Sequence, residues 1–392
     1  MRHRLIRVAI LVAAGFFVSA EVPHGTAPLF EVDPNSLVVH EWGTFTSVAG
    51  PDGKAVEWAP LVAPSDLPCF VDKVAFGSKG WIPGTVRMET PVLYFYTAED
   101  RTVDVRVRFR KGVITEWYPK ADVCPMKIEP QTMRKENLVS VAEWKNVQIL
   151  PKAPETYPRE SDESHYYAAR DTDAAPLQVG DEREKLLFYR GVGMFAPPLS
   201  AAIHDDGDVT LDATSGNVGD VVLFENKDGA ISVKSLKVHG NNVKLPFRLS
   251  RSSANAVHAH LVKLLVAHGL FTREAKAMVE TWRDSWFEEG TRVFYIAPRE
   301  MVDGTLPLEI SPAPTTVERV FVGRIELFPR WTVDKVKNAI LNGDRATIAQ
   351  RGRFIGPILQ RLAPTDLAES EAILARIPST YSAAIGPRRN CK

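Results

Sequence analysis

The sequence predicts an α+β protein, with antiparallel β-sandwich-like regions followed by a mixed helical and strand C-terminal part. Three observations carry this. Val103, Val105, Val107 and Phe109 alternate with Asp104, Arg106, Arg108 and Arg110. That period of two puts one face of a strand on a core and the other in water. Lys227-Asp228-Gly229 separates two strand-like runs, 221–225 and 231–238, and Asp-Gly is a hairpin turn because it accepts positive φ. From Ser253 the spacing lengthens: Ala275, Met278, Val279, Trp282 and Trp286 recur at i, i+3, i+4, i+7 and i+11, one face of a helix.

The elements follow in order. Arg2, Arg4 and Arg7 precede an apolar run over 8–18, and Val18-Ser19-Ala20 supplies the small residues that a signal peptidase reads. The run is shorter than the roughly 20 residues that cross a bilayer as a helix. Residues 1–20 therefore read as a signal peptide. No cysteine follows the run, which argues against a lipid anchor. Residues 37–48 read as a strand, Gly50-Pro51-Asp52-Gly53 as a turn and 55–58 as a returning strand. Residues 59–85, rich in proline and glycine, read as a long ordered loop. Three strands over 90–97, 103–110 and 113–118 read as an antiparallel meander, and 138–142 and 144–150 as two more. Residues 151–183 are polar and read as a linker or crossing loop. A strand over 184–190 follows, then a hairpin turn at Asp205-Asp206-Gly207-Asp208. Helices are expected over 254–268, stopped by Gly269, and from the capping Thr272 to Gly290. Strands over 291–297 and 317–328 precede helices over 333–341, 345–353 and 366–377. These divisions give a signal peptide (1–20), an N-terminal β-rich domain (21–150), the crossing loop (151–183), a second β-rich region (184–250) and a C-terminal α+β region (251–392). Tandem sandwiches are the expected arrangement of the two β-rich regions.

Composition sets the compartment and excludes some partners. Of 392 residues, 45% are hydrophobic and 24% charged, which excludes global disorder. Formal net charge is zero, and loss of the three leader arginines leaves a slight acidic excess. No basic stripe appears, so nucleic acid is not an expected partner. No second segment is long and apolar enough to span a membrane, so no integral membrane segment is expected after cleavage. The expected location is periplasmic or extracellular. Export would place the three cysteines, Cys69, Cys124 and Cys391, in an oxidising compartment. Cys69 and Cys124 lie in proline-containing segments. A Cys69–Cys124 disulfide is expected, with unpaired thiols as the alternative; such a bridge would contribute on the order of 4 kcal/mol in the chain-entropy model.

The candidate ligand-binding residues are His40, Glu41, Trp42, His165, Tyr166, Arg170 and Arg190. On a strand His40 and Trp42 share one face and Glu41 points the other way. His40 then serves as a general base or ligand with Trp42 as a stacking platform, or the pair simply packs. His165 and Tyr166 stand in an aromatic stretch of the crossing loop, and long ordered loops carry binding groups. The alternative is that they pin the loop to the surface. Arg190, at the end of its strand, is a cation for an acidic ligand group. His258, His260 and His268 lack the spacing of a helical zinc pair. Asp205, Asp206 and Asp208 lack the continuation of an EF-hand loop. Arg324 and Glu326 on an apolar strand read as an internal ion pair. No metal and no cofactor are expected. No Gly-x-Ser-x-Gly elbow, phosphate-cradling loop, dinucleotide fingerprint or Cys-x-x-Cys pair occurs.

Four phrases carry a resemblance: Val39-His40-Glu41-Trp42-Gly43-Thr44-Phe45-Thr46; Glu89-Thr90-Pro91-Val92-Leu93-Tyr94-Phe95-Tyr96; Glu184-Lys185-Leu186-Leu187-Phe188-Tyr189-Arg190-Gly191-Val192-Gly193; and Trp286-Phe287-Glu288-Glu289-Gly290 followed by Arg292. Together they resemble a group of exported bacterial proteins of unknown function, across most of the chain after residue 20. The resemblance implies export and one integrated architecture. It implies no activity, cofactor or catalytic residue. Two function classes stand: a non-catalytic envelope or extracellular protein that binds glycan, peptide or another protein through exposed aromatics and loops, and a secreted hydrolase with a site assembled around His40 and His165. The missing enzyme motifs favour the first.

Overall fold

The computed structural model describes residues 36–61, 67–76, 82–214, 217–239, 243–245, 250–363, 366–369 and 371–372. The expected signal peptide and Cys391 lie outside the described residues, as does much of the helix expected over 366–377. The fold is α+β. Its long strands are β1 (Val38–Val48), β2 (Val86–Tyr96), β3 (Arg101–Arg110), β4 (Gly112–Tyr118), β5 (Val139–Ile149), β6 (Leu187–Gly193), β7 (Asn217–Lys227), β8 (Ala230–His239), β9 (Gly290–Ile296) and β10 (Thr316–Leu327).

Among the described residues, ten strands form the main sheet. Its order is Ser250–Arg251, β8, β7, β9, β10, β1, β2, β6, β4 and Asp72–Lys73. Most pairings are antiparallel, but β1 and β10 run parallel, from Val38 opposite Thr316 to Val48 opposite Glu326. β1 and β2 are buried along nearly their whole length, because both faces of the sheet are covered. A second sheet pairs β3 with β5 and with Leu308–Ser311. The first core lies between the two sheets. It holds Phe95 from β2, Val105 and Phe109 from β3, Trp144 from β5 and Phe321 from β10.

The opposite face of the main sheet is covered by helices: α1 (Ala254–Ala267), α2 (Thr272–Thr281), α3 (Arg283–Trp286) and the short 3₁₀ turn His165–Arg170. Trp42, Tyr94, Phe188, Phe224, Met278 and Trp286 form the second core there. Further along the same face, α4 (Arg330–Leu341) and α5 (Arg345–Arg351) close a third core on Val48, Trp58 and Phe328. Gly323 on β10 faces Tyr295 on β9. A Cβ there would stand 2.0 Å from the Tyr295 ring, so only glycine lets the ring lie across the strand.

Several expectations are corrected. β2, β3 and β4 are not a meander: β3 leaves for the second sheet, while β2 and β4 flank β6 in the first. The alternating exposure of β3 is that of an outer sheet with one wet face, whereas β2 is buried on both sides. The strands expected over 138–142 and 144–150 are one strand, β5. The crossing loop carries the strand Leu177–Val179, which pairs with β5. The main sheet draws strands from all three regions that were separated at 151–183 and 250, so the β-rich regions are not tandem sandwiches. The helix expected from 272 to Gly290 breaks at Trp282 into α2 and α3.

The Cys69–Cys124 bridge is also corrected, because Cys124 is a free, exposed thiol. It ends the strand Asp122–Cys124 opposite Val141 on the second sheet. Cys69 instead leads into Phe70 and Val71, which pack with the second core under the helices. Asp205 and Asp206 occupy the hairpin turn, where the Asp206 carboxylate accepts the Asp208 N–H at 3.0 Å. No described helix is long and apolar enough to cross a membrane.

Candidate functional site

Alternation along β1 sends His40, Trp42, Thr44 and Thr46 toward the helices and Glu41 toward the first core. His40 is 2% exposed. Its Nδ1 lies 2.7 Å from Glu274 Oε2, and the same carboxylate accepts the Tyr96 hydroxyl at 2.6 Å and the Phe271 N–H at 2.8 Å. The His40 ring packs between Tyr96 and Phe271. Glu274 reaches back because it stands on the first turn of α2, where a carboxylate meets the free N–H groups of the helix start. Glu41 belongs to another network. It accepts the Tyr189 hydroxyl and Arg319 Nε, and Arg319 also binds Asp303. Trp42 is fully buried against Tyr94, and its indole N–H has no partner among the described residues.

The aromatic stretch of the crossing loop forms a third network. Tyr166 donates to Glu184 at 2.9 Å, and Arg170 grips the same carboxylate through Nε and Nη2. The Arg170 guanidinium also lies over the rings of Tyr157, Tyr166 and Tyr167, within 5.4 Å of each centroid. His165 faces outward to Asp284 at 2.9 Å. Among the seven predicted residues, then, His40 and Trp42 share a face, Glu41 lies behind them, Tyr166 and Arg170 anchor the loop, and His165 pairs at the surface. Neither predicted aromatic is an exposed platform. The histidines of α1 and its C-terminal cap also diverge: His260 bonds Ser235 and His268 bonds Asp220.

Arg190 leads to a different place. Its Nε donates to Thr90 Oγ1 at 3.1 Å. Thr90 has φ +48° beside a register shift in β2, a costly conformation for a β-branched residue. Next to it Glu89, 1% exposed, accepts the Thr46 hydroxyl at 2.7 Å and Arg353 Nη1 at 2.9 Å, with Arg87 Nε at 3.4 Å. Burial favours the neutral Glu89 acid, but Arg353, Arg87 and Arg324 outweigh it and hold the carboxyl down to about 2. Burial, with Arg353 and Arg190 nearby, pulls Arg87 down to about 10 against the attraction of Glu89 and Glu116. Thr44, opposite Glu89 in register, carries a buried hydroxyl with no partner among the described residues. The Arg87 and Arg353 side chains are 12% and 16% exposed, so this patch reaches the surface.

Behind it Arg324 binds Glu326, Ser285 and Glu288. Burial opposes the Arg324 charge, yet Glu326, Glu288 and Glu89 raise its pKa. Arg292 shares Glu326 but directs Nη1 to the carbonyls of Trp286 and Glu288. Burial, with the Arg324 charge close by, outweighs Glu326 and Glu288 and lowers its pKa. The four phrases of the resemblance therefore meet on one side of the main sheet: Thr46, Glu89 with Thr90, Arg190, and Glu288 with Arg292. Sequence reasoning missed Arg87, Glu89 and Arg353. The available signal was the pair Arg87 and Glu89 inside an otherwise apolar strand.

No protein-family model matches the chain, and no curated protein matches it. Among solved structures, the Fcho1 Mu homology domain of Danio rerio with bound Eps15 peptide aligns at 9% identity with a TM-score of 0.27. The alignment covers 74% of this chain and 97% of that one.

Proposed function

We propose that the protein is an exported, non-catalytic binding protein whose glycan or peptide ligand presents an anionic group to Arg87, Arg190 and Arg353. One observation carries the reading: Arg87 and Arg353 share a single buried carboxylate, Glu89, with Arg190 bonded to the adjacent Thr90 and close to Arg87, at a place that reaches the surface. Guanidinium forks suit carboxylate and phosphate geometry, and cations crowded together at a partly dry site favour an arriving anion. The hydrolase reading needs His40 at a reacting atom, and its buried bond to Glu274 argues for a structural role.

Calorimetric titration with acidic and neutral oligosaccharides and peptides tests this. Acidic members are expected to bind and neutral analogues of equal length to bind at least about tenfold more weakly, the effect of one charge-assisted hydrogen bond. Arg353→Gln is expected to weaken acidic binding by a similar factor, whereas His40→Ala lowers the unfolding midpoint and leaves affinity unchanged. Equal binding of neutral and acidic members would remove the reading. Export rests on residues 1–20; N-terminal sequencing of envelope-fraction protein is expected to begin near Glu21, and an intact Met1 would refute it.

A further inference from the structure

A separate groove lies between α1, α2 and the 165–170 turn, with a volume of about 580 Å³. Its floor is aliphatic, including Ala259, Val262 and Ala277, and no Phe, Tyr or Trp side chain lines it. Two groups in it that can meet an anion are uncommitted among the described residues. His258 Nε2 is buried without a hydrogen-bond partner, and its ring packs on Phe287 at 4.1 Å. Lys276 is exposed and has no ion-pair partner. The acids of the groove have cations of their own: Asp171 pairs with Arg273, and Glu280, which also acts on His258, pairs with Arg283. Burial lowers the His258 pKa, so near neutral pH its ring is uncharged, with one N–H to donate.

We infer that this groove binds the C-terminal residue of a peptide bearing a short aliphatic side chain. The carboxylate meets the Lys276 ammonium and the His258 Nε2–H, and the aliphatic group settles on Ala259, Val262 and Ala277. A small floor of Ala259, Val262 and Ala277, with no Phe, Tyr or Trp on which a sugar could stack, suits an alkyl chain. The volume falls within the ordinary range of about 300–1,000 Å³ for ligand pockets and exceeds a single side chain. The buried Nε2 gives the orientation, because filling the groove with a purely apolar group would leave it without a partner. This site is on the helical layer and independent of the arginine patch.

Fluorescence anisotropy with labelled tetrapeptides ending in valine, as free acid and as amide, tests it on the full chain. The free acid is expected to bind at least about tenfold tighter than the amide, as expected for a charge-assisted contact. Lys276→Met is expected to remove that preference, Lys276→Arg to restore much of it, and Arg353→Gln to leave it untouched. Lys276 is exposed, so its variants fold. Equal binding of acid and amide, no binding of either, or loss of binding in Arg353→Gln alone would overturn the inference. Free valerate binding as tightly as the peptide would assign the site to a small acid and overturn the peptide assignment.

Discussion

At the residue scale, charge inside a dry strand is held by its neighbours, and Glu89 shows how. Its carboxyl is lowered from an ordinary 4.5 to about 2 because Arg353, Arg87 and Arg324 outweigh the cost of burial. A depressed acid contributes stability that is fully present above its unfolded pKa and is lost as pH falls through the folded value. The contribution, on the order of 3 kcal/mol for such a shift, is therefore expected to disappear between about pH 4.5 and 2. Urea midpoints across that interval should fall steeply in the native protein and less steeply in Glu89→Gln. Equal slopes would mean that Glu89 is not held by the arginines. The alternation of His40, Glu41 and Trp42 was legible in sequence, because strand geometry fixes which side chains share a face. Their burial was not, since it depends on α2, far along the chain, folding over His40 and bringing Glu274 to it.

At the element scale, local patterns foretold local structure. The hairpin at Asp228-Gly229 forms, with both residues at positive φ, and Ser253 caps α1 by accepting the Ala256 N–H. What failed was the assignment of strands to sheets. The sequences of β2, β3 and β4 state how wet each face is, but not which partner completes the ladder. Close approach was similarly hidden. Gly323 reads as an ordinary strand glycine until Tyr295 is seen lying against it. Gly323→Ala must displace that ring or bend β10, and the expected cost is about 3 kcal/mol, at the upper end for overpacking. Chemical denaturation measures it; a change below about 1 kcal/mol would show that the ring moves freely.

At the scale of the whole molecule, one sheet collects strands from both ends of the chain and buries a core on each face. Composition made a large core legible and the helical texture of the C-terminal part announced the covering layer. The closure of β1 by β10 left no local trace, because parallel pairing needs no adjoining turn. A chain ending before residue 316 lacks β10 and exposes the flank of β1 in the middle of the sheet. Such a chain is expected to aggregate and to lose cooperative unfolding, as followed by size-exclusion chromatography and circular dichroism. A monomeric, cooperatively melting fragment would contradict this.

The parallel pair also sets a clock. β1 leaves the ribosome well over 200 residues before β10, as the strand ranges 38–48 and 316–327 require. At roughly 5–20 residues per second, the first strand waits on the order of tens of seconds for its neighbour. During that interval the nascent chain presents an unpaired edge to whatever surrounds it. The centre of this sheet therefore cannot be completed until β10 has been made, and the chain relies on being kept apart from its copies until then.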